Sequence, residues 1–278
     1  MSSAHPEGTP RVLYKYRHFE DENHLQTIRK GTFWFAHADS FNDPFDLNWG
    51  FNYGGARAKK LEWARDFLRR EKPQLSEEER QQFAERRIEE LENNPEELRK
   101  IAGWHIQQNK DKFGICSLSA KEDDILMWSH YAADHTGFCV GLDTEELLRI
   151  QKRQARLHEV LLDLHRIEYQ DKIPDINFFD AMMSHPKKSI VPFVATKSSH
   201  WDYEEEYRLL LYDHPNTAYP LGIRVVEEII LGCEVDKENR EEVLSIVENR
   251  PKAGISVYQA EKHEQRYELK FRELRGGE

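Results

Sequence analysis

Short apolar runs of strand composition recur along this chain, and the helical stretches between them come at irregular intervals. Arg11-Val12-Leu13-Tyr14-Lys15-Tyr16-Arg17 alternates apolar and polar residues with strong β formers, as does Thr32-Phe33-Trp34-Phe35-Ala36 after Gly31. Later come Phe113 to Ser119, Gly137 to Leu142, Val160 to Leu162 with Arg166 to Tyr169, and Tyr207 to Tyr212. Ile223–Val225 with Glu228 to Gly232, Gly254 to Tyr258 and Tyr267 to Phe271 complete the series. Helices are expected at Asp21 to Arg29, Asp124 to Ala133, Thr144 to Arg156, Ala181 to Val191 and Lys237 to Asn249. With no regular βαβ repeat, the pattern predicts an α+β fold around a mixed, mostly antiparallel sheet.

One stretch departs from this rhythm. Ala56 to Arg70 and Ser76 to Lys100 are rich in Glu, Arg, Lys, Gln and Leu at helical spacing, broken at Pro73 and Pro95. The expectation is a charged helical insertion over 57–112 in a single domain spanning 1–278, with residues 1–10 as a loose tail. At 278 residues the chain can bury a core without disulfides or metal. Charged residues make up 33%, but the 11% aromatic content separates it from disordered chains.

The formal charge of -11 argues against a surface devoted to phosphate backbones, without excluding a local basic groove. The three cysteines are widely spaced among apolar neighbours and read as buried free thiols. No leader pattern and no apolar run near the ~20 residues of a membrane span are found, so a cytoplasmic protein without a membrane partner is expected. GxGxxG, GxxxxGK[ST], HExxH and Gly-x-Ser-x-Gly are missing, which disfavours a Rossmann dehydrogenase, a P-loop enzyme, a zincin and an α/β-hydrolase. The thirteen histidines are scattered and His130 and His135 lie five apart, so no metal is expected.

Four segments carry residues suited to chemistry. In Trp201-Asp202-Tyr203-Glu204-Glu205-Glu206-Tyr207-Arg208, a strand would point Glu204, Glu206 and Arg208 to one face. Such a set reads either as a salt-bridge ladder or as a carboxylate that orients a sugar hydroxyl. In Met127-Trp128-Ser129-His130-Tyr131, Trp128 or Tyr131 would stack on a planar ring, or simply pack in the core. On the first strand Lys15 and Arg17 share a face, an anion-binding pair or solvated charges over packed tyrosines. Phe41-Asn42-Asp43-Pro44-Phe45-Asp46 is good turn chemistry, and Asn42 and Asp43 are also candidate substrate contacts.

Together these segments resemble the bacterial domain-of-unknown-function 2971 family. The resemblance lies in Tyr14 to Arg17, Phe41 to Asp46, Cys116 to Ser119, Met127 to Tyr131, His135 to Gly137, and Lys197 with Trp201 to Arg208. More distantly, the order of elements resembles ADP-ribosyltransferase folds. That resemblance implies NAD as the substrate and an unknown macromolecular acceptor, with a nucleic acid among the candidates and a phage-defence or toxin role as one setting. It implies Glu206 as the catalytic carboxylate with Glu204 as the substitute, and Arg17 or Lys15 on NAD. Ser117 and Tyr131 would frame the nicotinamide, beside Trp128 and His135, while Trp201 and Arg208 would join the substrate contacts. No His stands on the first strand, where many members carry one. Two other readings stand beside it: a metal-assisted nuclease or hydrolase using Glu204, Glu206, Asp43 and a His, and a non-catalytic binding module.

Overall fold

The computed structural model describes residues 8–48, 50–157, 162–183, 191–250 and 254–275. The elements begin with β1 (Val12–Arg17), α1 (Glu22–Lys30), β2 (Thr32–Phe35) and β3 (Gly50–Asn52). Three helices follow, α2 (Arg57–Glu71), α3 (Glu77–Asn93) and α4 (Pro95–Lys110), then β4 (Phe113–Ser119), α5 (Ile125–Tyr131), β5 (Phe138–Asp143) and α6 (Thr144–Leu157). Next are β6 (Leu162–Arg166), β7 (Glu168–Gln170), β8 (Asp175–Asn177), α7 (Phe178–Met183) and β9 (Thr196–Ser198). The chain ends with β10 (Glu206–Tyr212), β11 (Thr217–Pro220), β12 (Val226–Leu231), α8 (Lys237–Glu248), β13 (Ser256–Lys262) and β14 (Leu269–Arg275).

The α+β class holds. An eight-stranded sheet runs in the order β14-β13-β12-β5-β1-β4-β10-β6, antiparallel throughout except for the β12–β13 pair. That one parallel pair is joined through α8, because parallel neighbours need a crossover rather than a hairpin. The chain divides into two compact units, one of residues 1–41, 112–169 and 199–278 that holds the sheet, and one of residues 42–111 and 170–198. The helical stretch expected at 57–112 thus belongs to a larger unit, which also takes in the 42–56 and 170–198 segments.

In the sheet unit, strand alternation sorts the core into two layers. Leu13, Cys116, Leu118, Val140, Tyr207 and Leu209 face one side, packed with Leu25 and Ile28 of α1, Leu147 of α6 and Val243 of α8. Val12, Tyr14, Tyr16, Cys139 and Ile230 face the other, where Met127 and Trp128 of α5 cover them. Each large apolar side chain so buried contributes about 1.5–3 kcal/mol. In the helical unit, Trp63, Ala84, Ile88, Leu98, Phe178 and Phe179 form a separate core.

The helix boundaries follow local chemistry. The Asp21 carboxylate accepts from the Asn23 amide, and Asp124 accepts from Leu126 and Met127, satisfying amides that have no helical partner. Ser76 and Glu79 close a capping box on α3, and Pro95 opens α4 where its missing N–H costs nothing.

One expected strand changes, and others are described only in part. Ile223–Val225 is a single 3-10 turn rather than a strand, since Gly222 enters it with φ of 94°. Among the described residues the expected β2 strand pairs with β11, with Ala36 just beyond it bridging Ile115 of β4, and the three-residue strands β3 and β8 pair with each other in parallel; β3, β8 and β11 are too short to read beforehand. Of the helix expected at Ala181 to Val191, Ala181 to Met183 are helical and Val191 is helical as well, residues 184–190 lying outside the described residues. Of the Val160 to Leu162 strand, only Leu162 is within the described residues, as the start of β6; the 1–10 tail is described only from Gly8. Among the described residues no helix is long and apolar enough to cross a membrane.

Gly31 ends α1 in the left-handed region at φ of 64°, and a Cβ there would stand 2.2 Å from the Gly222 carbonyl oxygen. Gly31→Ala should therefore lose more than the ~1 kcal/mol of the conformational term alone. Urea unfolding checks this, and a midpoint equal to wild type would show that the close approach relaxes freely.

Candidate functional site

The site is built where β4, β10 and the turn before β10 meet under α5. Residues Ser199–Glu204 form 3-10 turns, and Glu205 then takes a positive φ of 39° before β10 begins at Glu206. That left-handed residue breaks the strand period, so Glu204 and Glu206 do not share a strand face in the way simple alternation predicts. Both carboxylates are buried nonetheless, each at 3% exposure.

Glu206 and Arg208 lie two apart on β10, facing the layer that α5 covers. Their register partners on β4 are Ser119 and Ser117, and Ser119 in turn faces Tyr14 on β1. Arg208 is fully buried and grips Glu206 through both prongs of its guanidinium, Nε to Oε1 at 2.8 Å and Nη2 to Oε2 at 3.1 Å. The Phe41 ring lies 5.3 Å from the guanidinium carbon, which adds a cation–π contact. The Glu206 amide donates to the Tyr169 hydroxyl at 2.7 Å, and burial pushes that phenol's pKa up. A planar guanidinium matched to a carboxylate is the geometry in which burying two charges costs least.

Glu204 is held differently. The Tyr131 hydroxyl donates to its Oε1 at 2.7 Å, and the Ser119 hydroxyl donates to its backbone carbonyl at 2.6 Å. Ser119 Oγ also accepts from the Lys121 amide, so one hydroxyl ties β4 to the turn that carries Glu204. Tyr203 is partly buried beside it, its phenol pushed up to about 12 by burial and then by the Glu204 charge. Tyr203 lies 6.1 Å from the Trp201 ring, and Trp201 and Tyr131 are also partly exposed. Glu204 is therefore a buried carboxylate beside a partly open aromatic rim.

The first-strand pair makes none of these hydrogen bonds, although Lys15 lies near enough to Glu206 and Glu204 to feel their charges. Lys15 and Arg17 alternate with Tyr14 and Tyr16, which belong to the α5 layer, so both cations emerge on the α1 side of the sheet. Lys15 Nζ donates to the Ser117 carbonyl at 2.7 Å, at the point where β1 and β4 are joined by one residue pair. Burial lowers its pKa to about 8. Arg17 keeps its Nε buried without a hydrogen-bond partner, and burial lowers its pKa as well. A single pocket lined by Arg17 and Glu206 would have to pass through the sheet.

The remaining candidates scatter. Trp128 is fully buried, its indole N–H donating to the Glu122 carbonyl and its ring meeting Tyr16 edge-on at 5.2 Å, so it offers no open face for stacking. His135, at φ of 69°, stacks against Trp128 at 6.3 Å and lines a cavity of about 770 Å³ with Cys233 and His263. Ser117 lies opposite Arg208 on β4. Asn42 is exposed and Asp43 buried in the other unit, where Asp43 accepts from the Phe45 amide in the expected turn. Among the described residues no three His, Cys, Asp or Glu side chains gather in a group able to hold a metal ion.

Sequence reasoning passed over Ser119, Tyr169, Tyr203 and Phe41. Ser119 and Tyr203 carry a signal in retrospect, since each stands next to or opposite a residue already singled out. Tyr169 carries none, and Phe41, though it opens a segment already singled out, gives no sign in sequence that the fold brings it to Arg208.

Residues 127–209 match a family described as a protein of unknown function (DUF2971). The match begins at Met127 of α5 and ends at Leu209 of β10, so it includes both Tyr131 and the Glu204–Arg208 segment. No curated protein and no solved structure matches the chain.

Two outcomes follow. Glu206→Ala strands a buried guanidinium and should cost about 3–5 kcal/mol, whereas Glu206→Leu with Arg208→Met should cost far less. Equal losses in urea unfolding would contradict this. For Lys15, the unfolded chain keeps the ordinary value of 10.5 while the folded value is about 8, so between these pH values the unfolded state binds more protons. Wild-type stability relative to Lys15→Met should thus rise from pH 8 to 10.5; parallel profiles would show that Lys15 titrates normally.

Proposed function

We propose that the chain is an ADP-ribosyltransferase-like enzyme that transfers a glycosyl group from NAD, with Glu204 as its catalytic carboxylate. The observation that carries this reading is the 2.7 Å hydrogen bond from the Tyr131 hydroxyl to Glu204. A hydroxyl donating to a buried carboxylate beside partly exposed aromatic rings is the contact that a ribose hydroxyl would make on displacing Tyr131. Glu204 is preferred to Glu206 because Arg208 already engages both oxygens of Glu206. Glu206 and Arg208 then act as the rigid wall of the site.

In this reading Trp201, Tyr203 and Tyr131 would take the planar rings of NAD, and stacking of this kind is worth about 1–3 kcal/mol per base. The bond from ribose C1′ to the nicotinamide nitrogen breaks, and its electron pair leaves with neutral nicotinamide. The C1′ centre becomes oxocarbenium-like, and the Glu204 charge stabilises it while orienting the ribose hydroxyl. A nucleophile on a macromolecular acceptor then bonds to C1′ and loses its proton. Arg17 has no part in this step, since alternation puts it on the α1 side of the sheet, and Lys15 on the same side acts on Glu204 only through its charge.

The test is nicotinamide release from NAD, followed by chromatography with and without nucleic-acid and protein acceptors. Glu204→Gln should lower release by about 10²–10³-fold while calorimetry still records NAD binding. Release at the wild-type rate in that variant would refute the role of Glu204. A wild-type chain that neither binds nor cleaves NAD would refute the reading as a whole and favour the binding-module alternative.

A further inference from the structure

The helical unit carries a feature that the carboxylate site does not use. Trp63 and Ile101 floor a groove of about 800 Å³ among α2, α3 and α4. Three of its walls are aromatic rings left open to solvent: Phe67 at 40% exposure, Phe83 at 40% and Trp104 at 60%. Apolar surface of this size, gathered in one concavity, marks a binding site more often than chance exposure does. Trp63 and Phe67 lie nearly parallel, 22° between planes with centroids 6.0 Å apart, so the floor is already ordered by its own packing.

The rim has a charge preference. Lys72 Nζ stands 5.6 Å and the Arg86 guanidinium carbon 5.9 Å from the Phe83 ring centroid, and neither is ion-paired within the described residues. Lys100 adds a third cation; its contact to Glu96 is a loose 3.7 Å pair between two exposed side chains. Arg87 is spoken for by Glu90 and Glu97. Glu71 and Glu90 are the carboxylates of the lining. Among the described residues Lys72, Arg86 and Glu71 carry no ion pair, so in a chain of net charge -11 the unpaired charges of this rim still favour cations two to one, against the prevailing field.

We propose that this groove binds a free amphiphilic anion, an apolar body of acyl or aromatic type lying across Phe67, Phe83 and Trp104 with its carboxylate or phosphate head between Lys72 and Arg86. Both cations lie over one ring at the groove's edge, so an anionic head placed there meets them while the body stays on the aromatic floor. The volume falls within the ~300–1,000 Å³ of small-molecule sites, which favours a single amphiphile over a protein partner. The inference is independent of the NAD reading, since no residue of the groove belongs to the Glu204 site.

The probe is a charge series on one chain length: dodecanoate, dodecanol and dodecylammonium, each below its micelle concentration, titrated into the full chain by calorimetry and tryptophan fluorescence. Dodecanoate should bind saturably and at least about tenfold more tightly than dodecylammonium. Lys72→Glu with Arg86→Glu, both on exposed positions, should erase that preference, and Trp104→Ala should weaken all three probes. Equal affinities across the series, a preference that survives the double variant, or anionic phosphatidylglycerol vesicles bound in place of free dodecanoate would each overturn the proposal.

Discussion

The guanidinium of Arg208 has no exposed surface, and the centre of the sheet is arranged around that fact. A buried cation of this kind costs several kcal/mol unless its charge and its donors are answered. Glu206 answers the charge two residues away, on the same side of the same strand, and the Phe41 ring lies close to the guanidinium. The pair can exist only if β10 is flanked on both sides, by β4 and by β6, so that both residues are interior. Register is then fixed as well, since a slip of one residue would carry Arg208 to the face lined by Leu118 and Leu209.

Against that fixed wall, the neighbouring carboxylate is held by a different kind of contact. Glu204 is tied by Tyr131 from α5 and, through its backbone, by Ser119 from β4. A single phenolic hydroxyl can be exchanged for another hydroxyl at little cost, whereas a two-pronged ion pair cannot be opened without leaving a buried charge. The division of labour between two glutamates separated by one residue follows from this difference in attachment.

How much of this was legible beforehand depends on how local the cause is. Strands β1, β4, β5 and β10 declare themselves by alternating or continuous apolar runs, and the caps of α1, α3 and α5 by Asp21, Ser76 with Glu79, and Asp124. The partnership of Glu206 with Arg208 could be read from period-two geometry. Its meeting with Phe41 and Tyr169 could not, because sequence carries no record of which loops return to a given strand. Lys15 and Arg17 show the same limit from the other side. Their shared face was readable, but which face it was depended on where α1 and α5 packed. Trp128 looked like a stacking surface because a tryptophan near a serine and a histidine suggests a wet wall. The carbonyl of Glu122 satisfied its one polar atom and let the core take it.

Among the described residues, the exposed Glu205 side chain pairs with Lys121 rather than with either buried carboxylate. Yet its left-handed backbone is the point at which the chain changes phase, from a coil that turns by thirds to a ribbon that turns by halves. Without that change of phase, residues 204, 206 and 208 would fall in one row, and two carboxylates would compete for a single guanidinium. A residue that touches neither carboxylate through its side chain thus decides which glutamate meets the Arg208 guanidinium and which meets the Tyr131 hydroxyl.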